Sequence, residues 1–460
     1  MTAEFKITKG LDIPMEGAPG DTLRALDAKT KSKGTVSVYP SEFKHVKFKM
    51  LVAEGDTVKQ GGVLARRKDQ EDFLLRAPVA GTIKEIVLGA RRSLQEIVIA
   101  PNGSDDRETF KAYQVEGLLS ASRAELLAHL KDTGFLALIR QRPFNVIAHA
   151  EQTPKSIFVN GMNTAPFRPD AHLLVRGKEQ ELQAGLNALT RLTDGPVHLC
   201  LAAEKAAAPD ALCNAQNVQV NYFDGPHPSG NTSTHIHYLD PIVPGDVVWT
   251  LRISDVLRIG ELLVSGALPS TQTVMVAGTG VKPEMRGYVT VPTGRSLEDV
   301  CAGALADGET RIIRGDALHG ETAELSAGVY FQDQGYVVLP EDRERHLLGW
   351  YAPTTEIFSA HRVVPSAWVK GKRFAFGTNK RGSDRALVLT GIYDKYVPLD
   401  IMVDPLSRAC IAQDTDDAVA LGILETDPED FALCTFVCPS KTDFGAIIAD
   451  TLNLIQQEGI

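Results

Sequence analysis

Ser156-Ile-Phe-Val-Asn160, then Lys178-Glu-Gln-Glu-Leu-Gln-Ala-Gly-Leu-Asn-Ala-Leu-Thr-Arg-Leu-Thr193, then Val197-His-Leu-Cys-Leu201: the middle of this chain is decided by these three stretches. The first and last are short apolar-centred runs of strand length. Between them Leu182, Leu186, Leu189 and Leu192 recur at i, i+4, i+7 and i+10, one stripe of a helix. Asp194-Gly195-Pro196 stops that helix. Strand, long helix and strand in succession form a βαβ unit, so a Rossmann-like α/β domain with a parallel sheet is expected over 104–250.

Upstream, from Gly34 to about Asn102, glycine turns recur at short intervals and no long helical period appears. Val52-Ala-Glu-Gly55-Asp56-Thr-Val58-Lys-Gln-Gly61 supplies two short strands around a Gly-Asp turn, and Ala77-Pro78-Val-Ala-Gly81-Thr-Ile83 begins another. An all-β domain is expected over 1–103. The segment resembles the biotinyl/lipoyl hammerhead domain, whose carriers need a lysine at an exposed hairpin tip inside D-K-A or M-K-M. Here Arg66-Arg67-Lys68-Asp69-Gln70-Glu71-Asp72 has neither tripeptide, so Lys68 reads as a solvated turn lysine.

Ser122-Arg-Ala-Glu125 is a capping box that opens a helix through Leu126, Leu127 and Leu130. The apolar spacing from Ile253 to Leu263 suggests a further helix. Strands at Thr273–Ala277, Tyr288–Val291 and Arg311–Arg314, with a short helix near Leu297–Ala304, give a β-grasp-like (SLBB-like) pattern over 251–340. Residues 341–460 read as α-rich, ending in a helix from Phe444 to Gln457, with strands at Arg373–Phe376 and Ala386–Leu389. The fold class expected is therefore α+β, multidomain.

Composition agrees with a globular chain: 460 residues, 43% hydrophobic and 23% charged. Lys and Arg number 48 against 58 Asp and Glu, a net charge of −10 spread without an evident basic block. A main partner that is nucleic acid or anionic lipid is not suggested by that balance. No apolar run approaches the ~18–20 residues of a membrane-spanning helix, and MTAEFKITKG lacks the apolar core of a signal peptide. A cytosolic protein is expected, with a peripheral place on a membrane complex left open. The six scattered cysteines suit a reducing compartment.

Candidate chemistry is sparse. The loop Asp132-Thr-Gly-Phe-Leu-Ala-Leu-Ile-Arg-Gln-Arg-Pro-Phe-Asn-Val146 has one glycine, Gly134, where a phosphate-cradling turn needs several. Gly278-Thr-Gly280 reads as a β-turn or, less naturally, a phosphate site. His227, His235 and His237 cluster, with the last two on one face if the segment is a strand; hydrogen-bonded loop histidines and a metal pair are the two readings. Cys434-Thr-Phe-Val-Cys438-Pro439 matches the tail of an iron–sulfur motif, yet two thiolates cannot complete a four-cysteine cluster. Asp414-Thr-Asp416-Asp417 reads as a solvated helix start.

Long strings in fixed order carry a resemblance over nearly the whole chain. They are Lys9-Gly10-Leu11-Asp12-Ile13-Pro14-Met15-Glu-Gly17-Ala18-Pro19, Arg140-Gln-Arg142-Pro143-Phe144, Gly225-Pro-His-Pro-Ser-Gly-Asn-Thr-Ser-Thr-His-Ile-His-Tyr-Leu-Asp240, Pro398-Leu-Asp400-Ile401 and Leu433-Cys-Thr-Phe-Val-Cys-Pro-Ser-Lys-Thr-Asp-Phe-Gly445. The chain resembles the A subunits of the Na+-translocating NADH:quinone oxidoreductases, a family similar to the flavoprotein subunit of respiratory complex I and the C subunit of the Rnf complex. Those relatives hold FMN on a glycine-rich loop and iron–sulfur clusters on C-x-x-C motifs; neither feature is present here. The resemblance implies a peripheral subunit on the cytoplasmic side of the bacterial inner membrane, joined to the membrane-embedded subunits. It carries no tightly bound cofactor, takes ubiquinone as substrate, and leaves NADH to other subunits. Phe135, Arg140, Arg142, Pro143 and Phe144 are the expected quinone contacts, because their loop mixes apolar walls with donors. The alternatives are an NADH-oxidising flavoprotein and a cofactor-free docking subunit.

Overall fold

The computed structural model describes residues 3–26, 34–43, 46–68, 73–204, 210–344, 354–361, 363–388 and 390–459. The expected βαβ unit is present: strand Ser156–Asn160, helix Glu179–Thr190 and strand Val197–Ala202. They belong to a seven-stranded sheet in the spatial order Glu4–Lys6, Gln219–Asp224, Val197–Ala202, Ser156–Asn160, Val248–Arg252, Arg140–Arg142, Val146–Ile147. The first five are parallel. The last two form an antiparallel hairpin on the edge. From Ser156–Asn160 the chain winds one way through 197–202 to 219–224 and then crosses to Val248–Arg252 on the other side. That reversal is the doubly wound arrangement, with its switch point between Ser156–Asn160 and Val248–Arg252. Helix Ile253–Ser265 packs on helix Glu179–Thr190 in the same core, through Leu182, Leu186, Val256 and Ile259 among others. The α/β unit thus runs past the expected boundary at 250.

Two small sheets of 34–102 face each other. Val36–Val38, Leu94–Pro101, Gly81–Leu88 and Thr57–Val58 make one, and Phe48–Met50, Val63–Arg67 and Leu74–Arg76 the other. Leu64, Ala65, Phe73, Ile83, Ile97 and Ile99 fill the space between them. Lys68 follows the end of strand Val63–Arg67, and Asp69–Asp72 lie outside the described residues.

The expected all-β unit over 1–103 differs at its start. Glu4–Lys6 pairs with Gln219–Asp224 in the seven-stranded sheet. Leu23–Ala25 pairs with Gly287–Pro292 in a third, six-stranded mixed sheet. That sheet also contains Thr271–Ala277, Thr310–Arg314, Glu321–Ala323 and Gly335–Pro340, and it packs on the short helix Leu297–Val300.

The C-terminal part is built from helices Val403–Ala412, Thr415–Ala420, Ala432–Val437 and Phe444–Glu458 around Tyr393, Phe431, Phe444 and Ile448. The strands expected at Arg373–Phe376 and Ala386–Leu389 do not form among the described residues; Leu389 lies outside them. Phe374 makes a single bridge to Met15. An alternating pattern yields a strand only where a partner backbone runs alongside.

Candidate functional site

A cleft of about 490 Å³ opens at the switch point, within the size range of ligand sites. Asn160 and Leu251–Arg252, at the C-terminal ends of the two switch strands, line it together with residues of every other part of the chain. Crevices at this place in doubly wound sheets are where ligands bind.

Its walls are charged, and the charges are largely matched within the protein. Arg142 donates to Asp427 Oδ2 at 2.5 Å and to Ser233 Oγ at 2.7 Å. Arg168 bridges Asp316 at 2.9 Å and Glu429 at 2.8 Å. His319 Nδ1 lies 2.7 Å from Asp316, and Asp316 raises its pKa against the opposing effect of burial. Arg252 grips Asp255 through two nitrogens at 2.8 and 3.2 Å, and Arg314 pairs with Asp333 at 3.0 Å. Among the described residues the Arg140 side chain donates only to Asn145, and burial lowers its pKa to about 10.

Beside the cleft lies a second, narrow and apolar slot between the β-sandwich and the α/β unit. Phe43, Phe73, Phe135 and Phe331 wall it, with Phe43 and Phe73 4.8 Å apart edge to face and Phe135 and Phe331 5.5 Å apart. Arg258 also lines it, its guanidinium 4.2 Å from the Phe331 ring centroid. Its Nη1 donates to the Phe331 carbonyl at 2.5 Å while Nε has no hydrogen-bond partner. Burial lowers the Arg258 pKa to about 10. The Tyr39 hydroxyl accepts the Gly328 N–H at 2.7 Å, and burial raises its pKa to about 12. The slot encloses about 60 Å³, a few water-sized positions, so a larger ring enters only when a phenyl side chain swings aside. Glu42 lines both cavities.

The five residues expected to touch quinone are therefore not brought together. Phe135 faces the slot, while Arg140 and Arg142 line the cleft. Phe144, beyond Pro143, packs on the C-terminal helical core. Gly134, which ends helix Arg123–Thr133 at φ +77°, is pressed against the hairpin: a Cβ there would lie 2.3 Å from the Leu74 carbonyl oxygen. Sequence reasoning missed Glu42, Arg258 and Phe331, which reach the slot from separate domains; an apolar slot assembled from three domains leaves no local motif.

The remaining candidates resolve individually. His235 and His237 lie on helix Thr232–Leu239, not on a strand, so they do not share a face. His235 is buried against Phe223 at 4.4 Å, His237 Nδ1 sits 2.9 Å from Glu425, and His227 Nδ1 sits 3.0 Å from Thr164 Oγ1. Cys438 Sγ lies 3.1 Å from the Tyr393 hydroxyl in the helical core, with Cys434 beside them. Among the described residues no three His, Cys, Asp or Glu side chains are grouped to hold a metal ion. Gly278, at φ +105°, is packed on its own sheet, a Cβ there falling 2.1 Å from the Val338 carbonyl oxygen, so this turn offers no phosphate cradle. Asp414 caps the helix Thr415–Ala420 through the Asp417 N–H. Among the described residues no helix is long and apolar enough to cross a membrane.

Comparison with known proteins bears on the same regions. Residues 5–102 match the family model described as the NqrA N-terminal barrel-sandwich hybrid domain, and residues 121–268 match the NqrA second alpha/beta domain. The A subunit of the Na(+)-translocating NADH-quinone reductase of Yersinia pestis bv. Antiqua (strain Angola) is 38% identical over 99% of this chain and 100% of its own length. Its counterpart from Neisseria meningitidis serogroup C (strain FAM18) is 37% identical over the same shares. Among solved structures, a chain of an NAD+-reducing [NiFe]-hydrogenase aligns with a TM-score of 0.38 at 14% identity, covering 77% of this chain and 67% of that one. With relatives matched end to end, this chain belongs to the family of the A subunits of the Na+-translocating NADH-quinone reductases, each one part of a multi-subunit oxidoreductase.

Proposed function

We propose that this protein binds ubiquinone, the ring entering the slot walled by Phe43, Phe73, Phe135 and Phe331, with Arg258 donating to a ring carbonyl. In this reading the chain holds no flavin or iron–sulfur cluster of its own, NADH is oxidised by other subunits of a complex that exports Na+, and the chain sits peripherally on the cytoplasmic face. One observation carries it: Arg258, with an unsatisfied Nε, lines a slot whose walls are mainly apolar and aromatic. A buried donor without a partner costs roughly 1–3 kcal/mol, which a quinone carbonyl offsets. Aromatic walls stack on the flat ring. The cleft is the weaker quinone site, because its arginines are largely held by carboxylates.

The test is calorimetric titration of the isolated protein with a short-chain ubiquinone. Phe135→Ala and Arg258→Met should each weaken binding about tenfold, the loss of roughly 1.4 kcal/mol, while Phe144→Ala leaves it unchanged. Saturable binding that only Phe144→Ala abolishes removes the slot as the site. Absence of saturable heat favours the cofactor-free docking role instead.

A further inference from the structure

We propose that the face formed by residues 354–361 and 363–388 and the end of helix Ala432–Val437 binds anionic phospholipid at a membrane surface. The whole-chain charge of −10 conceals a local reversal. Between residues 354 and 388 seven Lys and Arg stand against two Asp and Glu, and no acidic residue occurs from 357 to 383. The even spread of charge expected from composition does not hold here.

The segment's described residues have little regular structure beyond the 3-10 turn Pro365–Trp368, and they present apolar side chains to solvent: Val363 is 77% exposed, Trp368 68% and Val388 57%. Two hollows of about 510 and 380 Å³ adjoin along it, sharing Phe358, Ser359, Ala360 and Phe374. The floor of the larger is aromatic: Phe358 lies 5.5 Å from Phe374 and 6.1 Å from Phe436, and Phe376 lies 6.4 Å from Phe436. Its rim is cationic, with Lys380, Arg381, Arg385 and Lys441.

Two of those cations lack adequate partners. Arg381 Nη1 is buried with no hydrogen bond, and its Nη2 comes only within 3.7 Å of Asp342. Lys441 has no carboxylate within salt-bridge distance among the described residues; burial, and to a lesser degree Lys380 nearby, lowers its pKa. Lys380 pairs with Asp384, but Arg381 and Lys441 are under-neutralised, and such cations over an apolar floor call for an anion with a hydrophobic body. A phosphodiester headgroup answers the cations and an acyl chain the phenyl floor.

The outward Trp368 and Val363 favour a bilayer over an acidic peptide, since a peptide lying in the groove leaves both in water. Trp is at home at a membrane interface, and Lys and Arg near an anionic leaflet are drawn to its negative surface potential. Na+ translocation, named for the family, takes place across a bilayer, and no described helix of this chain crosses one. This inference is independent of where quinone binds.

The experiment is co-sedimentation of the full-length chain with phosphatidylcholine vesicles, with and without phosphatidylglycerol, alongside the Trp368→Ser variant and the triple variant Lys380→Glu, Arg381→Glu, Lys441→Glu. Binding should require phosphatidylglycerol, weaken with salt, resist competition by soluble glycerophosphate, and fall more than about tenfold in the triple variant. Wild-type tryptophan emission should shift to the blue on those vesicles and not in Trp368→Ser, a readout independent of whether the triple variant folds. Equal binding to both vesicle types, no binding, full competition by glycerophosphate, or an unchanged shift in Trp368→Ser overturns the proposal. So does capture only by an acidic segment of a different protein of the complex.

Discussion

Glu42 shows how one side chain couples two cavities. Its carboxylate oxygens accept the Phe331 and Gln332 N–H groups at 3.3 and 3.2 Å, yet burial, and then the nearby Asp333, push its pKa from 4.5 up to about 8. Burial, and then Glu429, raise Asp430 to about 7. Between about pH 4.5 and 8 the native state keeps protons that the unfolded chain has released, so stability falls as pH rises through that window. His227 and His235 act in the opposite direction. Burial lowers them to about 4 and about 3, so the unfolded chain gains protons first as pH falls below 6.5, and stability falls with it. The two limbs bracket an optimum in the mildly acidic range. Glu42→Gln should reduce the drop in melting temperature between about pH 6 and about pH 8.5. An unchanged drop means Glu42 is already ionised in the native protein.

Helix Glu179–Thr190 was legible from leucine spacing alone, and the strands flanking it from their length and apolar centres. What the sequence does not display is why Gly185 and Gly260 stand in the middle of two packed helices. A Cβ at Gly260 would fall 1.8 Å from the Glu181 carbonyl oxygen, and one at Gly185 2.4 Å from that of Val256. The two glycines let the backbones approach directly, a relation between residues 75 positions apart that no local pattern encodes. Gly260→Ala, which by helix propensity alone gains about 1 kcal/mol, should instead destabilise by about 1–3 kcal/mol through overpacking. Urea unfolding followed by far-ultraviolet circular dichroism measures the sign directly. The misread elements have the same origin. His235 and His237 alternate as in a strand, but the segment has no partner strand and becomes a helix over the core. The candidate site was only partly legible: Phe135 is visible in its loop, whereas Arg258 and Phe331 join it through contacts between domains.

Across the whole molecule, the strings that carry the family resemblance meet in space although they lie far apart in sequence. A Cβ at Gly10 would fall 2.1 Å from the His227 carbonyl oxygen, and Asp12 accepts the His227 N–H at 2.9 Å. Arg142 donates to Ser233 Oγ at 2.7 Å, and both strings reach the turn before the last string, Arg142 through Asp427 and Asn231 through Asp430 at 2.9 Å. The first 26 residues tie this junction together, because Glu4–Lys6 completes one edge of the seven-stranded sheet and Leu23–Ala25 one edge of the six-stranded sheet. Between them Gly17 is so close to the Gly278 turn that a Cβ would approach within 2.5 Å. Removing residues 1–26 therefore takes no domain away, yet it uncovers two sheet edges and the cores beneath them, a hazard for edge-to-edge association. The truncated chain should melt lower and over a broader range than the full chain, because parts once held by the strap unfold separately. It should also form soluble aggregates by light scattering at micromolar concentration. A single sharp transition at the full-length temperature means that the interdomain ion pairs, with Arg142–Asp427 and Arg168–Glu429 at their centre, hold the junction without the strap.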